Sequence, residues 1–210
     1  MIKNYKSTSV EKLSAHFSVS EMRCKCGGAH DTKIDTALME KLEKLREALS
    51  CSKIIVNSGY RCPTHDKNVG GSGSGQHTKG TAADIVCYDS KGCIISSKIV
   101  CCVAQDLGFT GIANIDGTYT ATHVDVRAGK WFGDETVTTA YSVCSDFYGY
   151  FGITKTDVYG KRKYDISNKS DVAALQKALN SKGYNCGSAD GIMGNNTVKA
   201  MFEALCDYLI

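Results

Sequence analysis

At 210 residues the chain has room for one medium domain and a small second one. A formal net charge of +3 gives a mild preference for anionic surfaces and excludes a strongly basic nucleic-acid binder. No apolar run approaches the roughly 18 residues that span a bilayer, so no membrane insertion is expected. The opening residues, MIKNYKSTSVEKLSAHFSV, have no apolar h-region and no small-residue cleavage site. Synthesis in the cytoplasm without a signal peptide is therefore expected. A monomer is the expected state.

There are eleven cysteines and one proline. An odd number cannot all pair within one chain, the cysteine fraction falls short of a disulfide scaffold, and a cytoplasmic origin favours thiols. Cys101 and Cys102, inside SSKIVCCVAQDLG, read as small buried hydrophobes.

Residues 1 to 30 read as irregular apart from a short turn of helix at His16 to Met22, with Ser18 or Ser20 as N-cap. Cys24, Cys26 and His30 follow. Their spacing suits part of a structural zinc site, but no matching close pair follows, and Cys51 and Cys62 stand alone in sequence. Ordinary loop thiols are the expectation. Ile34 to Leu49 is the clearest helix, with Leu38, Leu42, Leu45 and Leu49 on one face. Lys53 to Asn57 and Thr81 to Tyr88 read as strands. Ser96 to Leu107 reads as a helix closed by Gly108. Phe109 to Asn114 and Thr118 to Arg127 form a hairpin turning at Asp116-Gly117. These elements predict an α+β domain with a small, mainly antiparallel sheet and flanking helices.

Gly129 to Tyr150 is loop-rich and aromatic, with Trp131, Phe132, Tyr141, Phe147, Tyr148 and Tyr150; packing on the core is expected, substrate lining the alternative. Residues 154–168 are polar and basic and read as a linker, which assigns residues 1–153 to the first domain. Residues 169–210 form a small helical C-terminal domain, expected to hold three helices. In it, Asp171 to Leu179, capped by Ser170, turns Val172, Leu175 and Leu179 inward, and Asn196 to Leu209 closes the chain.

The chemistry concentrates between Ile54 and Asp84. An apolar β-branched run meets Ser58-Gly59, crosses the glycine-rich loop Gly70 to Gly75, and delivers His77 and Asp84. Asp84, between Ala83 and Ile85, puts a carboxylate into an apolar strand, which is costly unless it is paired or metal-bound. With His123 from Thr-His-Val-Asp-Val-Arg, these residues make three candidate ligands and leave a fourth zinc position for water. Strand alternation puts His123 and Asp125 on one face, with Arg127 beside them. His16, His30 and His65 read as loop residues.

Ser58-Gly-Tyr-Arg61, Val69-Gly-Gly71, Gln76-His77-Thr-Lys-Gly80-Thr-Ala82-Ala-Asp84 and His123-Val-Asp125-Val-Arg127 carry a resemblance. With HFSVSEM and GFTGIAN, they are similar to the family of zinc D-Ala-D-Ala carboxypeptidases and L-alanyl-D-glutamate endopeptidases. These act on peptidoglycan, in bacteria and as phage lysins. The resemblance covers about Phe17 to Arg127. It implies Zn2+ held by His77, Asp84 and His123. It implies that Arg61 meets the substrate carboxylate or the transition-state oxyanion, with Ser58 and Gln76 also at the substrate. Several members carry an acidic residue three positions before the last histidine. Here that position is Thr120, so Asp125 is the expected general base, with orientation of His123 or Arg61 as its alternative role.

The tail also resembles a known unit, the peptidoglycan-binding helical repeat, through Asp171-Val-Ala-Ala-Leu175-Gln176, Gly183-Tyr184, Asp190-Gly191-Ile-Met-Gly194 and Thr197-Val198. The expected protein is a zinc peptidase that cuts stem peptides and is tethered to bacterial peptidoglycan, in the manner of a phage endolysin. The alternatives are a D-Ala-D-Ala carboxypeptidase of cell-wall maintenance and an inactive wall-binding protein.

Overall fold

The computed structural model describes residues 1–137, 142–159 and 165–209. The N-terminal strand β1 (Ile2–Tyr5) pairs antiparallel with β2 (Thr32–Asp35). The opening stretch is therefore not wholly irregular, and Ile34 lies in a strand rather than in the following helix. Its buried side chain serves both readings, so apolar periodicity alone could not separate them. Between the two strands, α1 (Val19–Met22) begins at Ser18, whose N–H donates to the Glu21 carboxylate at 2.8 Å.

Helix α2 (Thr36–Ala48) starts where the Asp35 carboxylate accepts the Ala37 N–H at 2.8 Å. Leu38, Leu42 and Leu45 are fully buried along its inner face. Each such leucine contributes about 1.5–3 kcal/mol of burial. Strand β3 (Lys53–Ser58) leads into the short helices α3 (Pro63–Asn68) and α4 (Gln76–Lys79), and then into β4 (Ala82–Tyr88). His65 thus sits in a helix, not a loop: Pro63 supplies a preset first-turn φ, which the lone histidine did not signal.

Helix α5 (Ser97–Asp106), capped by the Ser96 hydroxyl, buries Cys101 and Cys102 completely. The expected hairpin is present as β5 (Gly111–Asn114) and β6 (Thr122–Asp125), with the Asp116 carboxylate gathering the N–H groups of Thr118, Thr120 and Ala121 in its turn. A further strand, β7 (Trp131–Asp134), falls in the aromatic stretch read as loop and pairs parallel with β5. The five-stranded sheet runs β3-β4-β6-β5-β7 and is otherwise antiparallel. Alternation sorts its residues: Ala83, Ile85, Cys87, Ile112 and Val124 join the core, whereas Asp84, His123 and Asp125 lie on the opposite face.

Helix α6 (Phe147–Tyr150) follows, and Phe132, Phe147 and Tyr148 are buried as core, in line with the packing expectation. Tyr141 lies outside the described residues. Helix α7 (Lys155–Tyr159) occupies the first part of the stretch read as a linker and buries Val158 and Tyr159; residues 160–164 lie outside the described residues. Helix α8 (Lys169–Ser181) is capped by the Asn168 side chain rather than by Ser170. With α9 (Asn195–Leu209) it forms the C-terminal region, and α7 supplies a third helix just before them. Gln176 ties this region together. Its amide nitrogen lies within hydrogen-bond reach of Asp190 Oδ1 (3.0 Å), the Ile192 carbonyl (3.1 Å) and Thr197 Oγ1 (3.0 Å), and its oxygen accepts the Gly191 N–H (2.8 Å). Helix α9 also packs on α2, α5 and α7, so one continuous core runs from Phe17 to Leu205.

Candidate metal centre

The site is built from the ends of β3, α4, β4 and β6. A register shift between Val56 and Ser58 bends β3 as it leaves the sheet. Gly59 then passes so close to α1 that a Cβ there would lie 2.6 Å from the Met22 carbonyl oxygen. Its own carbonyl oxygen sits 2.7 Å from His77 Nδ1. A carbonyl only accepts, so Nδ1 carries the proton and the Nε2 lone pair is left facing the site. Gly80 ends α4 at φ +79°, against the Lys33 backbone, and turns the chain into β4. Asp84 and His123 are directly paired across β4 and β6.

Asp84 Oδ1 lies 3.2 Å from His77 Nε2 and 2.9 Å from His123 Nδ1. One donor atom from each of these residues falls within 4.8 Å of the others, and each residue is only 7% exposed. Two imidazole nitrogens and one carboxylate oxygen, buried and convergent, fit a zinc ion with one position left open. Burial alone would raise the Asp84 carboxyl, but the hydrogen bonds from His123 and His77 outweigh it and hold Asp84 well below the usual carboxylate range. Burial would lower the His123 imidazole, but Asp125 and Asp84 outweigh it and push it up to about 9.

Arg61 leans on this cluster. Its Nη2 donates to Asp84 Oδ2 at 2.5 Å, its Nε to Ser58 Oγ at 2.7 Å, and its Nη1 to Asp66 Oδ1 at 3.4 Å. Ser58 is thus engaged in orienting Arg61. Gln76 turns its side-chain oxygen to the Thr81 hydroxyl at 2.8 Å. Sequence reasoning missed Asp66. This buried carboxylate braces Arg61, accepts the Gly73 N–H at 2.9 Å, and fills the space where a Cβ on Gly71 would stand. An acid five residues after Arg61 and just before the glycine run was the available signal. Trp131 was read only as part of an aromatic stretch. Its half-buried ring stands edge-on to His123, 6.2 Å away, under the Arg127 guanidinium.

Asp125 lies behind His123. Its Oδ2 is 3.1 Å from His123 Nε2, while Arg127 donates its backbone N–H and its guanidinium to the same carboxylate. The side chain is fully buried, and Gly111 presses so close that a Cβ there would overlap the carboxylate. Burial would raise this carboxyl, but His123 and Arg127 outweigh it and lower it to about 2. These contacts cover both oxygens. They fit the orienting role given as the alternative for Asp125.

A buried His-Asp-His cluster on a small antiparallel sheet flanked by helices defines a zinc-hydrolase type of centre. The chain belongs to the peptidase M15 family, whose model matches residues 15–125, more than half of the sequence. Family membership and the cluster together make Zn2+ its cofactor. A peptidoglycan binding domain model matches residues 168–202. The chain is similar to the zinc D-Ala-D-Ala carboxypeptidase of Streptomyces albus G, at 32% identity over 96 residues. That match covers 45% of this chain and 36% of the relative's length. Among the described residues, no helix is long and apolar enough to cross a membrane.

Proposed function

We propose that the chain is a zinc peptidase that hydrolyses an amide bond in peptidoglycan stem peptides and works as a phage-type endolysin, causing wall lysis. The observation that carries this reading is the convergence of His77, Asp84 and His123 beside Arg61. The match at residues 168–202 supports peptidoglycan as the partner, held by a C-terminal domain over residues 169–210, with residues 1–153 as the catalytic part and 154–168 as the connection. Tethering raises the local concentration of an insoluble substrate.

His77 Nε2, Asp84 Oδ1 and His123 Nδ1 would hold the zinc. Zinc bound there supplies a Lewis acid for the scissile carbonyl and lowers the pKa of a water at the open position. Gly59 fixes the His77 tautomer, and Asp125, clamped by Arg127, fixes the ring of His123. Arg61 steadies Asp84 and offers a fixed guanidinium to the substrate carboxylate or to the oxyanion that develops during attack. Ser58 and Asp66 set its direction, and Gln76 lines the approach beside His77.

The similarity to a carboxypeptidase favours a second reading, removal of a terminal D-Ala. An inactive wall-binding protein is disfavoured by the complete donor set. Mass spectrometry of muropeptides after digestion separates the three. Internal cleavage supports the endopeptidase, loss of D-Ala alone supports the carboxypeptidase, and an unchanged pattern sinks both enzymatic readings.

A further inference from the structure

Folding brings together three cysteines that stand apart in sequence. Cys24 and Cys26 follow α1, and Cys62 caps α3, yet their sulfurs all lie within 4.8 Å of one another. We propose that Cys24, Cys26 and Cys62 form a second metal site, a structural thiolate centre for zinc, whose fourth position is taken by His30 after a turn of its ring or by water.

Geometry favours a metal over a chance cluster. Two sulfurs about 2.3 Å from a tetrahedral zinc stand about 3.8 Å apart. Cys26 Sγ and Cys62 Sγ are 4.0 Å apart. Each sulfur also accepts a backbone N–H: Cys24 from Cys62 at 3.3 Å, Cys26 from Gly28 at 3.4 Å, and Cys62 from His65 at 3.4 Å. Such bonds stabilise the negative thiolates that a metal site needs. Cys24 and Cys62 are buried against Tyr60, which shields the centre, while Cys26 is exposed at its rim. The His30 ring shares that rim. A Cβ on Gly28 would lie 2.6 Å from His30 Nε2 and 3.4 Å from Cys26 Sγ, so ring and sulfur flank the same small residue. A disulfide would use two of the three sulfurs and strand the third, whereas zinc uses all of them.

The placement gives the site a task. Cys62 directly follows Arg61 and ends the turn whose Gly59 carbonyl orients His77. A metal clamp between this turn and the segment after α1 would hold Arg61 and Gly59 in place, with no part in the chemistry itself.

The test uses the full chain, purified under reducing conditions and loaded with zinc or cobalt(II). The His77–Asp84–His123 centre contains no sulfur, so near-ultraviolet sulfur-to-cobalt charge-transfer bands report only on the cysteines. The expected results are about two zinc ions per chain and a thiolate band that survives His77→Ala but disappears in Cys26→Ser and Cys62→Ser. Cys26 is exposed, so Cys26→Ser decides the matter even if Cys62→Ser fails to fold. His30→Ala should weaken cobalt binding about tenfold or more, the scale of losing one supporting group; unchanged affinity removes His30 from the site. One zinc per chain, no thiolate band, or a band that persists in both serine variants overturns the proposal. So does a disulfide between two of Cys24, Cys26 and Cys62, located by peptide mapping of a separate sample purified without reductant.

Discussion

The sheet face that carries the metal centre and the C-terminal helical region are built in opposite ways. The centre is assembled from residues far apart in the chain: Arg61, His77, Asp84 and His123 meet only because β4 lies between β3 and β6. Its groups are charged, buried and mutually oriented. The C-terminal region is local, with Gln176 bonded to a turn and helix no further along than Thr197. It is not self-contained, however, since α9 packs on α2, α5 and α7. A small helical unit buries too little surface alone and borrows a neighbour's apolar face. The site thus depends on charge complementarity, whereas the C-terminal region depends on apolar contact with the domain it would tether.

The largest expected effect isolates the first of these. His77→Ala should lower stem-peptide hydrolysis by about 10³-fold or more, the scale on which one transition-state-stabilising group is felt. It should also remove zinc from this centre. A metal content unchanged by the substitution breaks the assignment of the ligands.

The next effect lies at the junction. Tyr148 on α6 donates to the buried Asp106 carboxylate, and Tyr159 on α7 donates to Tyr148 at 3.1 Å. Burial pushes Asp106 up to about 7 despite the tyrosine bond. The folded chain therefore keeps a proton that the unfolded chain releases above about pH 4. Stability should fall as pH rises from about 4 to about 7, by up to about 4 kcal/mol, and then level off. Denaturant titrations of Asp106→Asn should show that slope flattened; an unchanged slope assigns the proton elsewhere.

Leu205→Ala, at a fully buried position of α9, should cost about 3 kcal/mol. If the core is continuous, calorimetry gives a single transition at lower temperature, and peptide hydrolysis fails in parallel. Two transitions, with the peptidase one unmoved, would show that the halves fold independently.

The smallest effect sharpens the role of Asp125. As an orienting group, Asp125→Asn should weaken zinc binding about 10–100-fold, with activity restored by excess zinc. Activity lost at full zinc occupancy would return Asp125 to proton transfer.

Much of the metal centre was legible in the sequence because its residues carry strong local signals. Asp84 in an apolar strand, the glycine run before His77 and the strand spacing of His123 and Asp125 each mark an unusual demand on the backbone. Helices α2 and α8 followed from apolar spacing and the hairpin from Asp116-Gly117, whereas the short helices α3, α4, α6 and α7 did not. The strands β1, β2 and β7 were not legible, since Ile2–Tyr5, Thr32–Asp35 and Trp131–Asp134 are too short for alternation to stand out, and pairing alone makes them strands.

The sequence by itself marked His77, Asp84 and His123 as candidate ligands and determined the mixed fold class and the helical tail, because residue type and period are local properties. Only the tertiary structure decided which face of His123 Asp125 occupies, that Asp66 braces Arg61, that α9 completes the peptidase core, and that Cys62 meets Cys24 and Cys26. Each of these depends on contacts between segments distant in the chain, where pairing register and backbone approach, rather than spacing, set which side chains meet.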